Sequence, residues 1–199
     1  MRVAVSGSHS TGKSSLISAF LERRPEYVHE PEAYEALADD IPLTSEGPTL
    51  EGLEVLLQHT IGIVAGYGPG AHVVFERSAV DYLAYAVEGE AVRGSRASSD
   101  FLDTHLPAVR ASVLNLDLIA FLPVSRGVVA REGEDDRLRR RVDERLRRAL
   151  VEDDYELFGE EPSPVVVELS PMPERQLAEL IRLTESGSGG RGDGHDDAS

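Results

Sequence analysis

Residues 7–14 read Gly7-Ser8-His9-Ser10-Thr11-Gly12-Lys13-Ser14, and no other stretch constrains the fold as strongly. The octapeptide fits G-x-x-x-x-G-K-[ST] without exception. An apolar run, Val3-Ala4-Val5, precedes it, and an amphipathic segment with Leu16, Ile17, Phe20 and Leu21 on one face follows. Glycines at this spacing let a backbone curl so that its N–H groups converge on an anion, and the next helix adds the positive end of its dipole. Such a strand, loop and helix cradle a nucleoside triphosphate. Lys13 would reach the β- and γ-phosphates, the Ser14 hydroxyl would ligate Mg²⁺, and Ser15 would continue the loop's contacts. His9 reads as a phosphate-side or solvated residue rather than a catalyst.

The composition sharpens this reading. Of the 20 basic residues only Lys13 is a lysine, so the chain's one compact ammonium falls where a phosphate loop requires it. A formal charge of −16 disfavours binding to a nucleic acid polymer. The absence of cysteine excludes disulfides, thiolate metal sites and cysteine nucleophiles. No apolar run approaches the ~20 residues that span a bilayer, and the chain begins at once with a strand-like segment. A cytoplasmic protein is expected.

Five short β-branched runs read as buried strands: Val3 to Ser6, Tyr27 to His29, Ala71 to Phe75, Leu116 to Leu122, and Pro164 to Leu169. Helical spacing occupies Ser14 to Glu22, Leu50 to Ala65, Ala79 to Val87, Asp100 to Leu114, Arg137 to Val151 and Glu174 to Leu183. Alternation of strands and helices predicts an α/β fold with a five-stranded parallel sheet covered on both faces. Residues 1–185 form one domain in this reading, and 186–199 a disordered acidic Gly/Ser-rich tail. Asp39 to Pro48 and Gly89 to Ser99 read as surface loops.

Ligands of parallel sheets gather at the carboxyl ends of strands. The second strand runs into Glu30-Pro31 and the third into Glu76-Arg77-Ser78. Glu76 is placed to hold magnesium with Ser14, and Arg77 to reach phosphate oxygens with its planar fork; the alternative for this pair is a local ion pair. Glu30 is the candidate base for an attacking hydroxyl, or a solvated strand-end residue. Asp81 either accepts from substrate hydroxyls or stabilises a helix N-terminus.

The loop, Glu30-Pro31, and the segment Glu76-Arg77-Ser78-Ala79-Val80-Asp81-Tyr82-Leu83-Ala84-Tyr85 together resemble the NadR-type AAA or nucleoside-kinase-like P-loop domain. Glu30-Pro31 and Glu76-Arg77-Ser78 also resemble deoxynucleoside kinases. Two departures mark the chain: Glu76 stands where the NadR-type pattern usually has Asp, and the interval from Glu30 to Glu76 is shorter than in deoxynucleoside kinases. The resemblance implies a three-layer P-loop fold, ATP with Mg²⁺, and transfer of the γ-phosphoryl group to a nucleoside or nicotinamide riboside-like acceptor. It further implies a lid in the arginine-rich stretch after the fourth strand, where Arg137 and then Arg131 are the candidates to face the phosphates. Most arginines of that helix are otherwise a solvated face. Gln58 is implied as a base-recognition residue, or is simply exposed, and Arg175 either stacks on adenine or lies on the surface. A regulatory ATPase or nucleotide sensor without a small acceptor is the competing class.

Overall fold

Arg2–Ser6 is buried along its whole length, which requires a central strand with both faces covered. The computed structural model describes residues 1–37, 41–44, 47–89, 95–124, 135–159 and 163–186. In chain order the elements are β1 (Arg2–Ser6), α1 (Lys13–Arg23), β2 (Val28–Glu30), α2 (Ala33–Leu37), β3 (Leu43–Thr44), β4 (Gly47–Pro48), α3 (Leu50–Gly66), β5 (Val73–Glu76), α4 (Ala79–Glu88), α5 (Arg96–Val113), β6 (Leu118–Phe121), α6 (Asp136–Leu150), β7 (Val165–Glu168) and α7 (Pro173–Ser186). Five strands form one parallel sheet in the order β2-β5-β1-β6-β7.

Strand alternation divides the core into two layers. Val3 and Val5 of β1, with Val74, Leu118 and Ala120, face Leu16, Ile17 and Phe20 of α1 and Leu180 of α7. Ala4, with Val73, Phe75, Ile119 and Phe121, faces α3, α4, α5 and α6 through residues such as Leu57, Leu83, Val109 and Leu146. The three-layer α/β architecture is the one expected. All five sheet strands fall within a residue or two of their sequence positions.

Several elements correct the sequence reading, among them α5, which begins at Arg96, inside the stretch Gly89 to Ser99 read as a surface loop. The stretch from Asp39 to Pro48, read as a plain loop, contains the two-residue antiparallel pair β3–β4, and α2 was not foreseen. Segments of two to five residues are too short for an apolar period to show. The stretch read as a tail begins one residue early, since α7 runs to Ser186; residues 187–199 lie outside the described residues. Among the described residues no helix is long and apolar enough to cross a membrane.

Candidate active site

β1 lies between β5 and β6, and the chain leaves its carboxyl end as the loop 7–12. A Cβ on Gly7 would stand 2.6 Å from the carbonyl oxygen of Leu122 and 3.1 Å from Thr11 Oγ1, so only glycine lets the loop start this close to β6. Gly12 adopts φ 96°, in the left-handed region, and is the N-cap of α1. Without a side chain it makes no cap bond to the first amides of the helix, the groups that bind anions at helix N-termini. Ser10 also has positive φ, at 55°.

Lys13 is only 4% exposed and donates to the Ser8 carbonyl at 2.8 Å. Burial first, and then the neighbouring Arg77 charge, lower its pKa from 10.5 to about 8. Glu32, Glu76 and Asp81 pull the other way. Thr11 Oγ1 also donates to the Ser8 carbonyl, at 3.0 Å. Among the described residues the buried Ser8 hydroxyl has no hydrogen-bond partner, and a phosphate oxygen would satisfy it. Ser14 and Ser15 are exposed at the start of α1. Ser14 Oγ donates to Glu76 Oε1 at 2.7 Å, which brings together the two residues assigned to magnesium. His29 Nε2 lies 3.9 Å from the other Glu76 oxygen.

The turn from β5 into α4 is bonded to the loop at several points. Arg77 has φ 79°, a strained value for a non-glycine residue. Its main-chain N–H donates to Val5 O at 3.0 Å, and its guanidinium to Gly7 O at 2.8 Å and Glu32 Oε1 at 2.5 Å. Burial opposes its charge, but Tyr85, Glu32 and Asp81 outweigh burial and push its pKa further up. Asp81 accepts from Gly7 N and Ser78 N, both at 2.9 Å, and from Ser78 Oγ at 3.0 Å. With Ser78 it forms a capping box at the start of α4. Asp81 is 0% exposed with both oxygens engaged by these donors, a geometry that matches the helix-capping one of its two sequence readings. Arg77 is 5% exposed, and its Nε and Nη1 donate to Glu32, Gly7 and Asp81.

On the far side of β5, Glu30 pairs in register with Phe75, beside Glu76. Its Oε1 accepts from the Tyr67 hydroxyl, whose pKa that hydrogen bond raises. The Tyr67 ring stands edge-on to Phe75, with centroids 5.5 Å apart. Gln58 is exposed and donates to Glu54, one turn earlier on α3, at 3.1 Å. Arg175 is exposed at the start of α7. Arg131 lies outside the described residues. At the start of α6, Arg137 is exposed, whereas Arg139 is 0% exposed and its Nη1 stands 3.5 Å from Ser10 O. The arginine brought to the phosphate loop is therefore Arg139 rather than Arg137, because Arg139 shares the buried stripe of Val142, Leu146 and Ala149.

Sequence reasoning missed Glu32, Tyr67 and Arg139, and quoted Tyr85 without a role. The spacing of Arg139 from Val142 and Leu146 was a usable signal for burial. For Tyr85 the signal was its place four residues after Asp81 on one helix face. Tyr67 and Glu32 offered none.

The sheet order, the glycine-bent loop and the Ser14–Glu76 contact define a P-loop domain. A family described as "AAA domain" matches residues 2–160, and the chain belongs to that family. No curated protein matches the sequence. Among solved structures, deoxyadenosine kinase from M. mycoides with dCMP and dCDP bound superposes with a TM-score of 0.66 at 12% identity, covering 94% of this chain and 100% of that one. The NadR protein in complex with NR gives 0.65 at 19% identity, covering 98% of this chain and 52% of that one. The NadR complex with NAD and AMP-PNP gives 0.64 at 20% identity, covering 98% of this chain and 51% of that one. The chain thus spans about half the length of NadR. At these identities the likeness is one of fold.

Proposed function

We propose that the chain is a small-molecule kinase that binds MgATP on the phosphate loop and transfers its γ-phosphoryl group to a hydroxyl of a nucleoside or a nicotinamide riboside-like acceptor. The observation that carries the reading is the Ser14 Oγ–Glu76 Oε1 contact of 2.7 Å beside buried Lys13, with a second carboxylate, Glu30, at the end of the adjoining strand. One carboxylate suffices to hold a metal; a second one on the acceptor side suits proton removal.

Magnesium needs few protein ligands where phosphates supply the rest, and a hydroxyl with a carboxylate is a fitting oxygen donor set. Ser14 and Glu76 would hold the ion, which when bound offsets charge on the phosphate oxygens. Main-chain amides of the loop, the Ser8 hydroxyl and Lys13 would orient the triphosphate. Glu30, held by Tyr67, would accept the acceptor's hydroxyl proton as its oxygen bonds to the γ-phosphorus and the bond to the β–γ bridging oxygen breaks, leaving ADP. Arg77 and Asp81 would act by keeping the loop in shape, Arg139 by supporting Ser10. Arg137, exposed at the mouth of α6, together with Arg131, would close over the phosphates. Gln58 on α3 would recognise the base of the acceptor, and Arg175 would stack on adenine.

The deoxyadenosine kinase and NadR neighbours, solved with nucleotides and NR, support this class of acceptor. The test is a panel of nucleosides and nicotinamide riboside assayed by coupled ADP detection. Acceptor-dependent ADP formation is expected. Phosphate release that no acceptor stimulates would replace the kinase by a switch-type ATPase.

A further inference from the structure

Glu30 and Glu76 end adjoining strands, yet strand alternation sends their side chains to opposite faces of the sheet. Glu76 meets Ser14 at the start of α1. Glu30 pairs in register with Phe75, which packs in the layer that α3 covers, so the Glu30 side chain is on the α3 face. There the Tyr67 hydroxyl donates to Glu30 Oε1. Two ties set the place of that hydroxyl. The Tyr67 main-chain N–H donates to Val64 O at 3.2 Å as the C-cap of α3. Its ring stands at 83° to Phe75, with centroids 5.5 Å apart. The backbone of Tyr67 is thus fastened to α3 and its ring to β5.

A glutamate side chain has three torsions, the last of them broad, so an unheld carboxylate at a strand end samples many orientations. A hydrogen bond from a fixed phenol restricts that freedom. The bond to Glu30 raises the Tyr67 pKa above its ordinary 10, and partial burial works in the same direction, so the phenol keeps its proton at neutral pH. A phenol has one proton to give, and here it goes to Oε1. Among the described residues no other group is hydrogen-bonded to Glu30, which leaves Oε2 unengaged.

We propose that Tyr67 is a positioning residue for phosphoryl transfer, anchoring Glu30 by Oε1 so that Oε2 is the oxygen that takes the proton of the acceptor hydroxyl. This role rests on Glu30 being the base, as read above; the hydrogen bond itself does not. In the step, the acceptor's O–H proton passes to Oε2 while its oxygen bonds to the γ-phosphorus. The bond from that phosphorus to the β–γ bridging oxygen breaks, its electron pair leaves with ADP, and Glu30 returns the proton to solvent afterwards. Tyr67 neither gains nor loses a proton. Its contribution is orientation, which counts because a reacting group misplaced by about 1 Å costs on the order of a hundredfold in rate.

Two measurements test the role. Tyrosine labelled with ¹³C at Cζ reports phenol ionisation by NMR, with Tyr67→Phe used to identify the Tyr67 signal. In the full chain Tyr67 should titrate above 10, and in Glu30→Gln, which removes the carboxylate charge, it should fall back toward 10. A Tyr67 that titrates alike in both would overturn the proposal, whether or not any acceptor is phosphorylated. Acceptor-dependent ADP formation supplies the second readout. Tyr67→Phe keeps the ring against Phe75 and loses the donor. It should lower kcat about ten- to a hundredfold while leaving the KM for MgATP and the unfolding midpoint unchanged. In the Glu30→Gln background the same change should cost nothing further in kcat, because no base remains to be oriented. A kcat equal to that of the full chain, or equal losses in the two backgrounds, would assign Tyr67 to packing alone and defeat the proposal. Undiminished transfer by Glu30→Gln, with the Tyr67 shift present, would instead overturn the reading of Glu30 as base and this role with it.

Discussion

On the β1–β5 side of the site, Gly7, Arg77, Ser78 and Asp81 are buried and bonded to one another. On the β2–α3 side, Glu30 is half-buried with Tyr67 as its partner among the described residues, and Gln58 is exposed. On the proposed reading the first side is the mould for phosphates and the second faces the acceptor; the first is held by several buried hydrogen bonds, the second by fewer. Stability and chemistry should therefore separate by side: changes on the moulded side should unfold the protein, and changes on the open side should leave it folded and slow.

The largest separation is expected between Asp81 and Glu30. Asp81→Ala strips acceptors from Gly7 N–H, Ser78 and the buried Arg77, and should cost about 3–5 kcal/mol of stability, read from the urea midpoint. Glu30→Gln should leave both that midpoint and ATP affinity unchanged while slowing transfer by about 10²–10⁴-fold. Glu32→Gln provides the contrast, since it loosens buried Arg77 and should lower stability instead. Equal transfer by Glu30→Gln and the full chain would remove Glu30 as base.

Next come the two arginines of α6. Arg139→Ala empties a fully buried volume beneath Ser10 and should cost roughly 2–3 kcal/mol and weaken MgATP binding. Arg137→Ala, at an exposed position, should stay within about 0.5 kcal/mol in stability. Reversal of that order in thermal unfolding would show that the loop does not lean on α6.

The smallest effect is a proton count. The folded-state pKa of Lys13, about 8, lies below its ordinary 10.5. Below pH 8 the group is charged in both folded and unfolded chains and its burial penalty is complete. As pH rises from 8 to 10.5 the folded chain loses the proton first, so this group's contribution to stability rises across that window. A bound triphosphate holds the proton in place. MgATP binding should take up about half a proton at pH 8 and little at pH 7, measured calorimetrically in buffers of different ionisation enthalpy. Uptake that is constant across this range would contradict the assignment.

What could be read from the sequence follows the range of the interactions. The loop was legible because eight consecutive residues carry their own backbone chemistry, and the strands because apolar runs are local. The Ser78–Asp81 capping box was also local, and its spacing gave one of the two roles weighed for Asp81. Arg139 and Ser10 are 129 residues apart, Arg77 and Glu32 are 45 apart, and Tyr67 and Glu30 are 37 apart. No period or motif links such pairs, so which arginine meets the loop and which carboxylate is taken by Arg77 emerged only from packing. Arg77 itself shows the limit: its residue type suited a phosphate fork, while its bonds to Gly7 and Glu32 and its place over the Tyr85 ring come from packing.

The most direct measurement is calorimetric titration of the full chain and of Lys13→Ala with MgATP, with circular dichroism to establish that both are folded. The full chain should bind with a defined stoichiometry of one, and the folded variant should lose affinity by more than about a hundredfold, as expected when a desolvated charge contact to phosphate is removed. Undiminished binding by the variant would show that residues 7–14 do not hold the triphosphate.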